Sequence, residues 1–152
     1  MLKPILLVED DPNDLELTLH ALERIQMAND VVILRDGSET LDYLFRRSHF
    51  AKRPEGNPAI ILLDLKLPKV DGLDVLEAIR ADETLRSIPV VMLTSSNMEN
   101  DLGRAYALGV NAYVVKPMVF KEFIAAVSKL GVFWAALNEP PLGSTRISFS
   151  NT

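Results

Sequence analysis

The chain has 152 residues and a formal net charge of −5, which is room for one domain and argues against a basic nucleic-acid-binding surface. With 48% hydrophobic and 24% charged residues it has the composition of a globular protein, and it has no cysteine, so disulfide scaffolds, thiolate chemistry and cysteine-based zinc sites are excluded. No apolar run approaches the ~18 residues of a membrane helix, and the short apolar start is no signal peptide, so a cytoplasmic protein is expected.

Residues 3–8 (KPILLV) form a continuous apolar run, as in a strand buried on both faces. Asp11-Pro12 then reads as a helix cap followed by proline at the first helical position, with Leu15, Thr18, Leu19 and Leu22 at helical spacing. Residues 31–34 make a second strand, closed by Asp36-Gly37. Ser38 is expected to cap a second helix with Leu41, Leu44 and Phe45 inward. Residues 49–58, with two prolines and a glycine, read as a long loop.

Residues 59–63 (AIILL) are the most apolar strand and the expected centre of the sheet. A loop over 65–72 and a helix over 73–81 follow, then a strand over 90–93 and a helix over 97–108 ended by Gly109. A fifth strand over 110–115 and a helix over 120–137 complete strict alternation, the pattern of a parallel sheet with crossover helices. The chain divides into a domain over 1–137 and a Pro/Gly/Ser-containing tail over 138–152, with no DNA-binding output module expected.

Open parallel sheets bind ligands at the carboxyl ends of their strands, and right-handed crossovers bring those ends to one side. Here the ends carry Glu9-Asp10, Asp64, Thr94-Ser95 and Lys116-Pro117. Three carboxylates brought together repel unless a cation joins them, and Mg2+, which keeps waters and a phosphate oxygen in its shell, suits the set. Asp64 is then placed for nucleophilic attack on phosphorus, with Lys116 and the cation neutralising charge and the Thr94 hydroxyl bonding a phosphoryl oxygen. Singly, each residue has a structural reading as a cap, a turn residue or a surface lysine. Their joint placement on four strand ends carries the chemical one.

The segments ILLVEDD (5–11), ILLDLKLPKVDG (61–72), PVVMLTSS (89–96) and NAYVVKP (111–117) resemble the receiver domains of two-component response regulators. The resemblance implies a flavodoxin-like, doubly wound five-stranded parallel sheet of order 2-1-3-4-5 with five helices. It implies Asp64 as phosphoacceptor; Glu9, Asp10, Asp64 and the Lys66 backbone carbonyl as Mg2+ ligands; and Thr94, the Ser95 backbone and Lys116 as phosphoryl contacts. Thr94 and Tyr113 become the switch pair, and Lys116-Pro117 a cis peptide. The basic Lys66, where the family commonly has Asn or another polar side chain, is a departure expected to alter metal or phosphoryl handling.

Arg35-Asp36-Gly37, the long loop before the third strand, and Phe133-Trp134 resemble regulators paired with cyanobacterial phytochrome-type sensor kinases. In the last helix Phe120, Phe123, Ile124, Val127, Leu130, Trp134 and Leu137 form one apolar stripe, and Val119, Ala126 and Phe133 a second line off it. With the resemblance, this implies a homodimer through helix 4, strand 5 and helix 5, using Phe133 and Trp134. A magnesium phosphohydrolase with an aspartyl nucleophile and a pseudo-receiver acting by contact alone stand as the rival functions. The first lacks its usual acid/base carboxylate, since that position is Lys66; the second lacks support because no site residue is missing.

Overall fold

The computed structural model describes residues 3–24, 29–95, 99–116 and 119–128. Five parallel strands, β1 (Ile5–Val8), β2 (Val31–Leu34), β3 (Ile60–Asp64), β4 (Val90–Thr94) and β5 (Ala112–Val115), lie in the order β2-β1-β3-β4-β5. Between and after them run α1 (Pro12–Arg24), α2 (Gly37–Leu44), α3 (Gly72–Ala81), α4 (Glu99–Ala107) and α5 (Phe120–Ser128). The flavodoxin-like topology expected from the resemblance is the one observed.

The strands divide the core by their two-residue period. Leu6, Val8, Ile61 and Leu63 pack toward α2, α3 and α4, whereas Ile5, Leu7, Ile60 and Leu62 pack toward α1 and α5. β3 and β4 are buried along their whole length, each apolar side chain contributing roughly 1.5–3 kcal/mol of transfer free energy. That burial on both faces explains their unbroken apolar sequences.

Several local expectations are corrected. Asp36, not Ser38, caps α2: its Oδ1 accepts Glu39 N–H at 2.7 Å, and Glu39 Oε1 accepts the N–H of Arg35, one residue before the cap, at 3.1 Å. Tyr43 and Thr40 join Leu44 in the interior, while Phe45, one residue past the helix, is exposed beneath the Arg47 guanidinium. β5 starts at Ala112 because Val110 belongs to the end of α4. Gly109 (φ 78°) donates to Tyr106 O and Val110 donates to Ala105 O, the paired bonds of a Schellman close. Ala126, assigned from sequence to an outer line of the last helix, is buried beside Phe123, three residues away on the same helical face.

The long loop after α2 contains a 3-10 turn, Ser48–Phe50, and is tied down by Arg53. Arg53 Nε donates to Tyr43 O at 2.7 Å, and Nη1 donates to Pro54 O and Gly56 O. Pro117, Phe133, Trp134 and the tail over 138–152 lie outside the described residues.

Candidate functional site at the carboxyl edge of the sheet

Register decides how the strand ends meet. Val8 is level with Leu63, Asp64 with Leu93 and Thr94 with Val115. Glu9 therefore continues β1 at the level of Asp64, while Thr94 stands one residue further out on β4 and Lys116 two residues further out past β5. Lys116 N–H donates to Thr94 O at 2.7 Å, closing this edge.

Glu9, Asp10 and Asp64 each offer a carboxylate oxygen to one group whose atoms all lie within 4.8 Å of one another. Glu9 and Asp64 are buried and Asp10 is exposed, so the group opens to solvent on one side. Lys116 reaches into it: Nζ lies 2.6 Å from Glu9 Oε1, 3.0 Å from Asp14 Oδ2 and 3.1 Å from Asp64 Oδ2. Thr94 is fully buried at the end of β4, Ser95 beside it is exposed, and Lys66 is exposed on the loop after β3. Tyr113, half-buried on β5, has its ring centroid 6.5 Å from that of Tyr106 on α4.

Asp14 was not read from the sequence as a site residue. It sits in the first turn of α1, acidic as helix starts commonly are, and that position directs it back over the strand ends. An acidic residue one turn into the helix after Glu9-Asp10 was the available signal.

Burial pushes the Glu9 carboxyl up to about 7; the Lys116 hydrogen bond opposes the rise and neighbouring Asp64 adds to it. Burial alone would lower the Lys116 ammonium. Its hydrogen bonds to Glu9 and Asp14, with the charge of Asp64, outweigh that and hold it above its ordinary value. Four carboxylates thus face one firmly protonated lysine, a formal charge of −3 when all are ionised. The donors are all hard oxygens and their charge exceeds what one ammonium cancels. This set fits a divalent cation such as Mg2+.

Residues 5–128 match the response regulator receiver domain family. The chain is 43% identical over 141 residues to the probable methanogenesis regulatory protein FilR2 of Methanothrix harundinacea, covering 90% of this chain and 86% of that one. It is 39% identical over 132 residues to response regulator Rcp1 of Synechocystis, covering 87% and 88%. Among solved structures, the bacteriophytochrome response regulator RtBRR matches with a TM-score of 0.82 and 66% identity over 95% of this chain and 87% of that one. The Mn2+-bound form of Rcp1 matches with a TM-score of 0.74 and 36% identity, covering 95% and 98%. The phosphorylated cyanobacterial phytochrome response regulator RcpA matches with a TM-score of 0.76 and 38% identity, covering 93% and 99%. Receiver domains take phosphoryl groups from histidine kinases and bind Mg2+ or Mn2+ in their acidic site, and no described helix here is long and apolar enough to cross a membrane. With its sheet order, its acidic strand ends and these likenesses, the chain belongs to the response regulator receiver domain family of two-component signalling, related to the phytochrome response regulators.

Proposed function

We propose that this protein accepts a phosphoryl group from a phytochrome-type sensor histidine kinase onto Asp64, with Mg2+ held by Glu9, Asp10, Asp64 and the Lys66 carbonyl. The observation that carries this reading is the convergence on Asp64. Its Oδ2 lies 3.1 Å from the Lys116 ammonium, and it shares a carboxylate group with Glu9 and Asp10. The relatives described as phytochrome regulators support the kinase class, and the Mn2+-bound and phosphorylated structures support the cation and the modification.

An Asp64 oxygen forms the new bond to phosphorus while the phosphorus–nitrogen bond of the donor phosphohistidine breaks. Its electron pair leaves with the imidazole, and the product is an acyl phosphate. When bound, the cation supplies positive charge against the phosphoryl oxygens. Lys116, held protonated, exchanges its carboxylate partners for the incoming phosphoryl group. The Thr94 hydroxyl and the Ser95 backbone N–H contact its oxygens.

The phosphoryl group adds about −1.5 to −2 charges, drawing Thr94 toward it and Tyr113 inward behind Thr94. The output face is then α4, β5 and α5, where Tyr106 stands 53% exposed against Tyr113. A cytoplasmic homodimer through this face, with Phe133 and Trp134, belongs to the same reading. On it the chain catalyses only its own phosphorylation and dephosphorylation.

Intact-mass measurement after incubation with acetyl phosphate and Mg2+, with and without chelator, tests the proposal. A Mg2+-dependent phosphoryl adduct that is absent from Asp64→Asn is expected. An adduct of equal yield in that variant would move the acceptor elsewhere.

A further inference from the structure

The Arg35-Asp36-Gly37 turn leaves β2, the strand beyond β1, and contributes nothing to the carboxylate group. Its backbone nevertheless rests on the loop that follows Asp64. Gly37 N–H donates to Pro68 O at 3.2 Å, and the same carbonyl accepts Val70 N–H at 2.8 Å. Between them Lys69 stands at φ 71°. A bond from residue i+2 back to residue i around a central φ near +75° is the rare, strained form of the γ-turn, and here the central residue carries a full side chain.

Such a turn persists only where its surroundings over-determine it. Gly37 supplies the contact by lacking a side chain: a Cβ there would meet Val70 O at 1.9 Å, Val70 C at 2.7 Å and Val70 Cβ at 2.8 Å. The bonds from Glu39 N–H to Asp36 Oδ1 and from Arg35 N–H to Glu39 Oε1 stiffen the turn on which Gly37 sits. Asp36 Oδ2 lies 3.7 Å from Lys69 Nζ, a supplementary pair because that lysine is largely exposed. At the other end of the loop, Gly72 N–H donates to Leu65 O at 2.7 Å, and a Cβ there would meet Asp64 O at 2.2 Å. The segment between Asp64 and α3 is therefore fixed at both ends, and Lys66 lies between the two fixed points.

We propose that Gly37 is a positioning residue for the site. By seating the β2–α2 turn on Pro68, Lys69 and Val70, it holds the strained turn and so sets where the Lys66 carbonyl and the Asp64 carboxylate stand. This rests on the reading of those two groups as cation ligands. A displaced Pro68–Val70 segment moves the Lys66 carbonyl first, because only Leu67 separates them.

The test compares wild type, Gly37→Ala and Leu22→Ala, the last a core truncation on the α1–α5 face that lowers stability without touching the loop. Unfolding midpoint, Mg2+ dissociation constant by calorimetry and amide exchange of Val70 by NMR are measured on each, with the acetyl phosphate adduct on wild type. Gly37→Ala is expected to weaken Mg2+ binding about tenfold and to speed Val70 exchange about tenfold, while Leu22→Ala leaves both within twofold. Should Gly37→Ala not fold, Asp36→Ala, which removes the cap and the Lys69 pair, is expected to shift both readouts about threefold in the same direction. Mg2+ affinity within twofold of wild type in the folded variant overturns the proposal, as does an equal loss in Leu22→Ala. A wild type that binds Mg2+ but forms no adduct overturns the phosphoacceptor reading while leaving the comparison of Mg2+ affinities to decide the role of Gly37. A wild type that binds no Mg2+ overturns both.

Discussion

Lys116 Nζ stands 2.6 Å from Glu9 Oε1, closer than its 3.1 Å approach to Asp64 Oδ2, so the ammonium leans on the carboxylate that ends β1. It fills the electrostatic role a cation would take. Lys116→Met removes the ammonium that, among the described residues, pairs with the buried carboxylates of Glu9 and Asp64. Without divalent cation the variant is expected to lose roughly 2 kcal/mol of stability at pH 8, because uncompensated buried charge is costly. Mg2+ should restore most of it and bind about tenfold more tightly than in wild type, no longer competing with the ammonium. Denaturant melts with and without Mg2+ check both; an unchanged midpoint and affinity would refute the counter-ion role.

Glu9 titrates near 7 in the metal-free folded chain, against an ordinary value of 4.5. The raised value means that the folded state binds the extra proton between those limits. The stability this contributes is fully present below 4.5 and is lost as pH rises through about 7. Cation binding needs the carboxylate, so Mg2+ affinity should fall as pH drops below 7, approaching tenfold per unit. Lys116, held above its ordinary value, stays protonated throughout this window and adds no slope. Calorimetry from pH 5.5 to 8 on wild type and Glu9→Gln checks the sign: the variant should bind more weakly but with a flatter profile.

Arg80, near the end of α3, holds the ends of two other elements. Its Nε donates to Leu108 O at 2.9 Å, Nη2 to Gly109 O at 2.8 Å, and Nη1 to Arg86 O and Ile88 O at 3.0 and 2.9 Å. Burial lowers its pKa, yet it remains charged. Arg80→Ala strands these carbonyls and is expected to cost about 3 kcal/mol. Arg80→Lys should recover less than half, since a point-like ammonium cannot reach the same fan of acceptors. Urea melts of the two variants decide it.

Gly72 has ordinary backbone angles, so its necessity is one of space alone. A methyl group there would collide with Asp64 O and with Leu65 Cα at 2.7 Å. Gly72→Ala is expected to lower stability by at least about 3 kcal/mol, as overpacking against unyielding backbone does. Gly103→Ala, with open space around the added methyl, should change stability little or raise it slightly. A pair of thermal melts compares them, and equal midpoints would disprove the packing account.

Much of the molecule was legible along the chain because its determinants are local. Alternating apolar runs and helical periods marked the five strands and five helices, and β3 and β4 were recognisable because burial on both faces leaves no polar position before their last residues, Asp64 and Thr94. The candidate site was legible as Glu9, Asp10, Asp64, Thr94 and Lys116 because a parallel sheet collects its strand ends on one edge. What only the tertiary structure decided were relations between residues far apart in sequence. Asp14 joins Lys116 across 102 positions, Lys116 leans on Glu9 more closely than on Asp64, and Gly37 carries Val70 on a face no side chain interrupts. These depend on strand register and on how closely two turns pack. Periodicity encodes which way a residue points along its own element; it does not encode what another element brings within 3 Å of it.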